Sequence, residues 1–128
     1  MSTWRAALAS AVVVAAVFLL LRLLPPAAAQ DQGLAVRPWT VTASRYKFDP
    51  PRIEVFQDDL VRIELRTDDI AHSLTIDAYR LSKRVNPGQS VTFEFRADRP
   101  GTFPFYCNLQ IDDGCRLMRG ELIVKPRK

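Results

Sequence analysis

The chain has 128 residues, with 18 Lys or Arg against 14 Asp or Glu and a net charge of +4, which leaves room for one domain. The cations are dispersed among apolar residues rather than gathered into a basic run, which excludes a nucleic-acid-binding tail or stripe. His72 is the only histidine, so Ser44, Ser73 and Ser90 have no free imidazole base, and no Gly-rich phosphate loop follows a strand.

The N-terminus reads as a targeting segment. Arg5 precedes a largely apolar run from Ala6 to Leu21, followed by Arg22, Leu23, Leu24, a Pro25-Pro26 break and Ala27-Ala28-Ala29. This is the layout of a secretory signal over residues 1–29, cleaved after Ala29. An uncleaved membrane anchor over Ala6 to Leu24 is the alternative, with Arg22 snorkelling to the interface. Either way the remainder is expected to be exported, to the periplasm or the outer face of the membrane. With Arg5 and Arg22 set aside, 16 basic residues face 14 acidic ones. In an oxidising compartment a thiol pair defaults to a disulfide unless a metal claims it.

After a polar leader at 30–38, the rest (39–128) shows period-two apolar patterns separated by turn residues, which predicts an all-β domain. Trp39, Val41 and Ala43 alternate with Thr40 and Thr42. The phase then slips so that Tyr46 and Phe48 carry the apolar face, which suggests a bulge near Ser44. Asp49-Pro50-Pro51 stops that strand, and Ile53 and Val55 begin the next. Val61, Ile63 and Leu65 alternate with Arg62, Glu64 and Arg66, giving a strand with one wet face. His72, Leu74 and Ile76 share a parity, so the histidine is expected to face inward.

Ala78 to Val85 has no clear period and reads as a loop or short helical turn bearing Arg80, Lys83 and Arg84. These are a candidate docking patch for an acidic partner, or an ordinary solvated loop. Val91, Phe93 and Phe95 form another one-sided strand. Phe103, Phe105 and Cys107 share a parity, with Cys107 inward and Pro104 requiring an edge or a bulge. Glu121 to Val124 is the last strand. About seven antiparallel strands predict a Greek-key β-sandwich.

His72 at the start of one strand and Cys107 at the end of another fall at one pole of such a sandwich. The loop from Asn108 to Met118 closes over it and can deliver Cys115 and Met118. Imidazole, thiolate and thioether are a soft set suited to copper. Taken singly, His72 is a hydrogen-bonded core residue and Met118 core filler. The cysteines can instead form a Cys107-Cys115 disulfide contributing about 2 to 3 kcal/mol. Arg116 is placed to hold Cys115 ionised if it turns that way, and Asp112-Asp113 reads as a solvated turn.

The stretches Ala43 to Phe48, Ile53 to Val61, Ala71 to Leu74, Val85 to Gly88 and Gly101 to Cys107 resemble the cupredoxins, nearest the CuA-type domains of cytochrome c oxidase subunit II and nitrous oxide reductase. In that pattern the closing loop runs Cys, three residues, Cys, three residues, His, two residues, Met, with a Gly following. Here Ile111 stands where the second bridging cysteine falls and Cys115 where the loop histidine falls, which disfavours a dinuclear centre. The resemblance implies an exported cupredoxin-like sandwich, not an enzyme, that holds one copper ion through His72, Cys107, Cys115 and Met118 for one-electron transfer with a redox protein partner. A second thiolate is expected to lower the reduction potential. Two alternatives stay open: a metal-free structural or partner-binding domain locked by the disulfide, and copper delivery or storage with a copper donor or acceptor protein.

Overall fold

The alternating segments fold into nine strands and one short helix in a computed structural model that describes residues 35–127; the expected signal or anchor lies outside the described residues. In chain order these are β1 (Val36–Ser44), β2 (Lys47–Asp49), β3 (Arg52–Phe56), β4 (Leu60–Thr67), β5 (His72–Ile76), a 3-10 turn (Asp77–Tyr79), β6 (Leu81–Val85), β7 (Gln89–Arg96), β8 (Gly101–Tyr106), α1 (Asp113–Leu117) and β9 (Arg119–Lys125). One sheet runs β2-β1-β4-β7 and the other β3-β9-β8-β5-β6. Their inner faces meet through Val41, Ile63, Leu65, Ile53, Leu74, Ile76, Phe105 and Leu122, all inaccessible to solvent. Phe48 packs edge-on against Phe105 across the two sheets, ring centroids 5.1 Å apart.

Not every pairing is antiparallel. The β1–β4 and β3–β9 pairs run parallel; Pro50 and Pro51, which cannot donate to a ladder, stand where the chain leaves β2 for the opposite sheet. The run from β2 into β3 therefore changes sheets at a proline corner, and β4 returns beside β1. Pro51 still offers its carbonyl to Glu121 N at 2.9 Å.

Three local expectations need correction. The parity slip near Ser44 is a hairpin turn rather than a bulge: Ser44 pairs with Lys47, Arg45 and Tyr46 form the tip, and Tyr46 is exposed while Phe48 is buried. The stretch from Ala78 to Val85 contains a strand, β6, paired along its length with β5. It is an edge strand with one side free, so charged residues survive in it and blur its period. Finally, β1 begins at Val36, within the stretch read as leader. Pro104 is accommodated as its missing donor requires. β8 meets β5 only at Thr75 and Tyr106, so Pro104 lies where that side of β8 is unpaired.

At the pole opposite the cysteines, the inaccessible carboxylate of Asp59 is held by Arg37 Nε at 3.2 Å, Arg127 Nη2 at 2.5 Å and the Phe56 amide at 3.0 Å. Near the cysteine pole, β9 crosses so close to β8 that a side chain on Gly120 would enter the Phe105 ring and stand 2.8 Å from the Pro51 carbonyl. Overpacking of this kind costs about 1–3 kcal/mol. Gly120→Ala is accordingly expected to lower the unfolding free energy by about 2 kcal/mol or more, read from the urea midpoint at unchanged m-value.

A candidate metal and thiol site at one pole

His72 opens β5 and Cys107 follows β8, two neighbouring strands of one sheet. Their antiparallel register joins Thr75 to Tyr106. One step along that register Leu74 faces Cys107, which makes His72 the next inward residue beyond it. His72 and Met118 are inaccessible, and Cys107 and Cys115 retain 1% exposure. The outward neighbour Ser73 is buried too. It accepts the Asn108 amide at 2.8 Å, donates to Asn108 Oδ1 at 2.6 Å, and lies 3.8 Å from Cys107 Sγ. That clasp fixes the exit of the chain from Cys107.

The imidazole is oriented by Asp69. Its Oδ1 lies 2.8 Å from His72 Nε2, and its carboxylate also accepts from the amides of Arg45 (2.7 Å) and Ile70 (2.6 Å) and from Thr67 Oγ1 (3.0 Å). Desolvation pushes the Asp69 carboxyl up, but the bonds from Arg45, Ile70, His72 and Thr67 together outweigh it and hold the group well below the usual carboxylate range. An ionised carboxylate only accepts, so Nε2 carries the proton. Nδ1 is buried with no hydrogen-bond partner, alone in this among the buried side-chain nitrogen and oxygen atoms described.

The closing loop brings the second sulfur. Asp112 caps α1 by accepting the Cys115 amide at 2.9 Å, a local bond that Asp at an N-cap supplies readily. Cys115 then meets Cys107 in a disulfide, Cα atoms 5.2 Å apart, so of the arrangements open from sequence this structure contains the disulfide. No group of three or more His, Cys, Asp or Glu side chains set to hold a metal occurs among the described residues. Ile111 is 53% exposed and takes no part in the pole. Arg116 does not engage Cys115; it is exposed and lines a cleft of about 300 Å³ with Arg119, Tyr106, Cys107, Asn108, Leu109 and Gln110.

Nδ1 of His72 is unclaimed, the sulfurs of Cys107 and Cys115 are bonded to each other, and the thioether of Met118 is buried in the segment that follows α1. Sequence reasoning gave Asp69, Ser73, Arg45 and Tyr46 no part in this pole and read Asp112 as part of a solvated turn, where it caps α1. The one available signal was the spacing of Asp69 three residues before the sole histidine.

A family described as the cupredoxin-like domain matches residues 11–124. Cytochrome c oxidase subunit 2 of Thermus thermophilus is 27% identical over 85 residues, 66% of this chain and 63% of that protein, so the chain spans less than two-thirds of the relative. Among solved structures, the periplasmic domain of cytochrome oxidase subunit II of Bradyrhizobium japonicum superposes with a TM-score of 0.62 at 14% identity, covering 70% of this chain and 83% of that one. A mixed-disulfide intermediate between a thioredoxin-like protein and subunit II of cytochrome c oxidase superposes with a TM-score of 0.59 at 15% identity, covering 70% and 81%. At these identities the superpositions speak to fold alone.

Two outcomes are expected at this pole. Long-range ¹⁵N–¹H spectra should show His72 as a single Nε2–H tautomer, and Asp69→Ala should replace it with a mixture. Replacing both cysteines by serine should cost about 2.5 kcal/mol in urea unfolding, the loop-closure value for a loop of this size.

Proposed function

The chain belongs to the cupredoxin-like domain family, and on that premise we propose that it is an exported copper-binding, electron-transfer domain of the oxidase subunit II kind whose site opens when the Cys107–Cys115 disulfide is reduced. The observation that carries this reading is the buried, partnerless Nδ1 of His72, on the strand paired with the one that ends at Cys107. A core histidine serving packing alone would be expected to satisfy both nitrogens. Here one nitrogen donates to the Asp69 carboxylate and the other is left bare, as in an imidazole oriented for a metal.

Two electrons and two protons delivered by a dithiol convert the disulfide into the thiols of Cys107 and Cys115. Those thiols, with His72 Nδ1 and Met118, are the groups that would hold one copper ion, the thiols losing their protons to it. When bound, copper supplies a one-electron couple, and the second thiolate in place of an imidazole favours the oxidised ion and lowers the potential. Asp69 keeps the imidazole in one tautomer throughout, and the rigid strand ends limit movement of the ligands between oxidation states. A redox protein is the electron partner. A thioredoxin-like dithiol protein is the reductant this reading calls for, by analogy with the mixed disulfide formed by the subunit II relative.

The second reading, a metal-free module held by a structural disulfide, is favoured by the near-complete burial of both cysteines. Copper delivery, with copper(I) exchanged to a partner, is the third and uses the same donors.

Copper(II) added to the pre-reduced protein is expected to give an intense visible thiolate-to-copper band, and none when added to the disulfide form. Cys115→His should give a bluer centre of higher potential. A reduced protein that takes up no copper by metal analysis, with Cys115→His changing stability alone, would establish the structural module instead. A colourless complex that yields its metal to a chelator would establish delivery.

A further inference from the structure

The tip of the β1–β2 hairpin touches both arms of this pole. The Arg45 amide donates to Asp69 Oδ2 at 2.7 Å, on the carboxylate that also binds His72. Its neighbour Tyr46 reaches the other arm: the phenol donates to Asp112 Oδ2 at 3.2 Å, while Asp112 Oδ1 accepts the Cys115 amide at 2.9 Å. The Tyr46 ring lies directly on Gly114, so close that even a Cβ there would enter the ring. Gly114 precedes Cys115 in α1. The exposed apolar side chains elsewhere in the loop are Ile111 and Leu117, at 53% and 77%.

Opening a disulfide requires a thiolate to approach one sulfur and form a new S–S bond as the old one breaks. On the Cys107 side Ser73 Oγ lies 3.8 Å from the sulfur and is held by Asn108, which leaves Cys107 only 1% exposed beside the cleft lined by Arg116 and Arg119. On the Cys115 side the ring of Tyr46 covers the helix. From this geometry we infer that Tyr46 is a lid on the Cys107–Cys115 disulfide, and that an external dithiol reaches Cys115 only when the ring lifts from Gly114 and the phenol leaves Asp112.

The exchange balances without any further reactant. The incoming thiolate bonds to Cys115 Sγ, the electron pair of the broken bond passes to Cys107 Sγ, which takes up a proton, and the second thiol of the reductant displaces Cys115 as a thiol. The reductant leaves as a disulfide. Because the backbone of the tip is anchored at Arg45 N to Asp69, the lid opens by side-chain rotation and leaves His72 in place. Gly114 is required for the closed state, since any larger residue props the ring open.

The inference rests on the reading that this disulfide is opened in the working protein, and it is independent of which metal follows. The test therefore uses no copper. The exported chain is treated with excess dithiothreitol at fixed pH and the released thiols are titrated with time, alongside the His72 tautomer. Tyr46→Ala is expected to accelerate reduction about tenfold, the factor for loss of one charge-assisted hydrogen bond with its packing. Tyr46→Phe, which keeps the ring, should fall between the two, and His72 should stay in the Nε2–H tautomer in both variants. Gly114→Ala should accelerate reduction like Tyr46→Ala, and the double variant should be no faster than either single one, because only one lid exists to displace. Wild-type rates in Tyr46→Ala, or multiplied effects in the double variant, would overturn the lid. Should Tyr46→Ala fail to fold, Gly114→Ala carries the same comparison with the tyrosine in place.

Discussion

The carboxylate of Asp69 organises the functional pole. Four donors from three places in the chain end on its two oxygens: the hairpin tip at Arg45, the end of β4 at Thr67, and the β4–β5 turn with His72. A group so solvated by protein remains ionised, and an ionised acceptor dictates that His72 donates through Nε2. The bare Nδ1 is thus a consequence of electrostatics two bonds away, and it costs stability that a purely structural histidine would have no reason to give up.

The sulfurs at the same pole are governed by electron count. As a disulfide they shorten the free loop between β8 and β9 and stabilise the fold through the unfolded chain. As thiolates they would be soft ligands. The disulfide needs Cys107 inward at a strand end and Cys115 on a capped turn of helix. Asp112 serves both as the cap that positions Cys115 and as the acceptor for Tyr46. The ring of Tyr46 then makes access to the sulfurs a property of a distant hairpin rather than of the loop itself.

Much of the sandwich was legible residue by residue. Val61, Ile63 and Leu65 alternate with charges because one face of β4 meets water, whereas in β5 Ser73 and Thr75 are buried along with His72, Leu74 and Ile76. β6 was not legible, since an edge strand flanked by solvent keeps Lys83 and Arg84 and loses its period. The slip at Ser44 looked like a bulge because a two-residue hairpin tip and a bulge both displace parity. Parallel pairing of β1 with β4 followed from a sheet change at Pro50-Pro51, and parity along one strand carries no information about which sheet the next one joins.

The sequence by itself determined the period-two core, the inward direction of His72 and Cys107, and the frame of the closing loop in which Ile111 and Cys115 depart from the family pattern. Those properties depend on side-chain alternation and local spacing. Only the tertiary structure decided that the two cysteines bond to each other, that Asp69 leaves Nδ1 bare, and that Tyr46 covers α1. Arg45 meets Asp69 across 24 positions and Tyr46 meets Asp112 across 66. Contacts at such separations follow from how two sheets close on each other, which no local pattern of residues encodes.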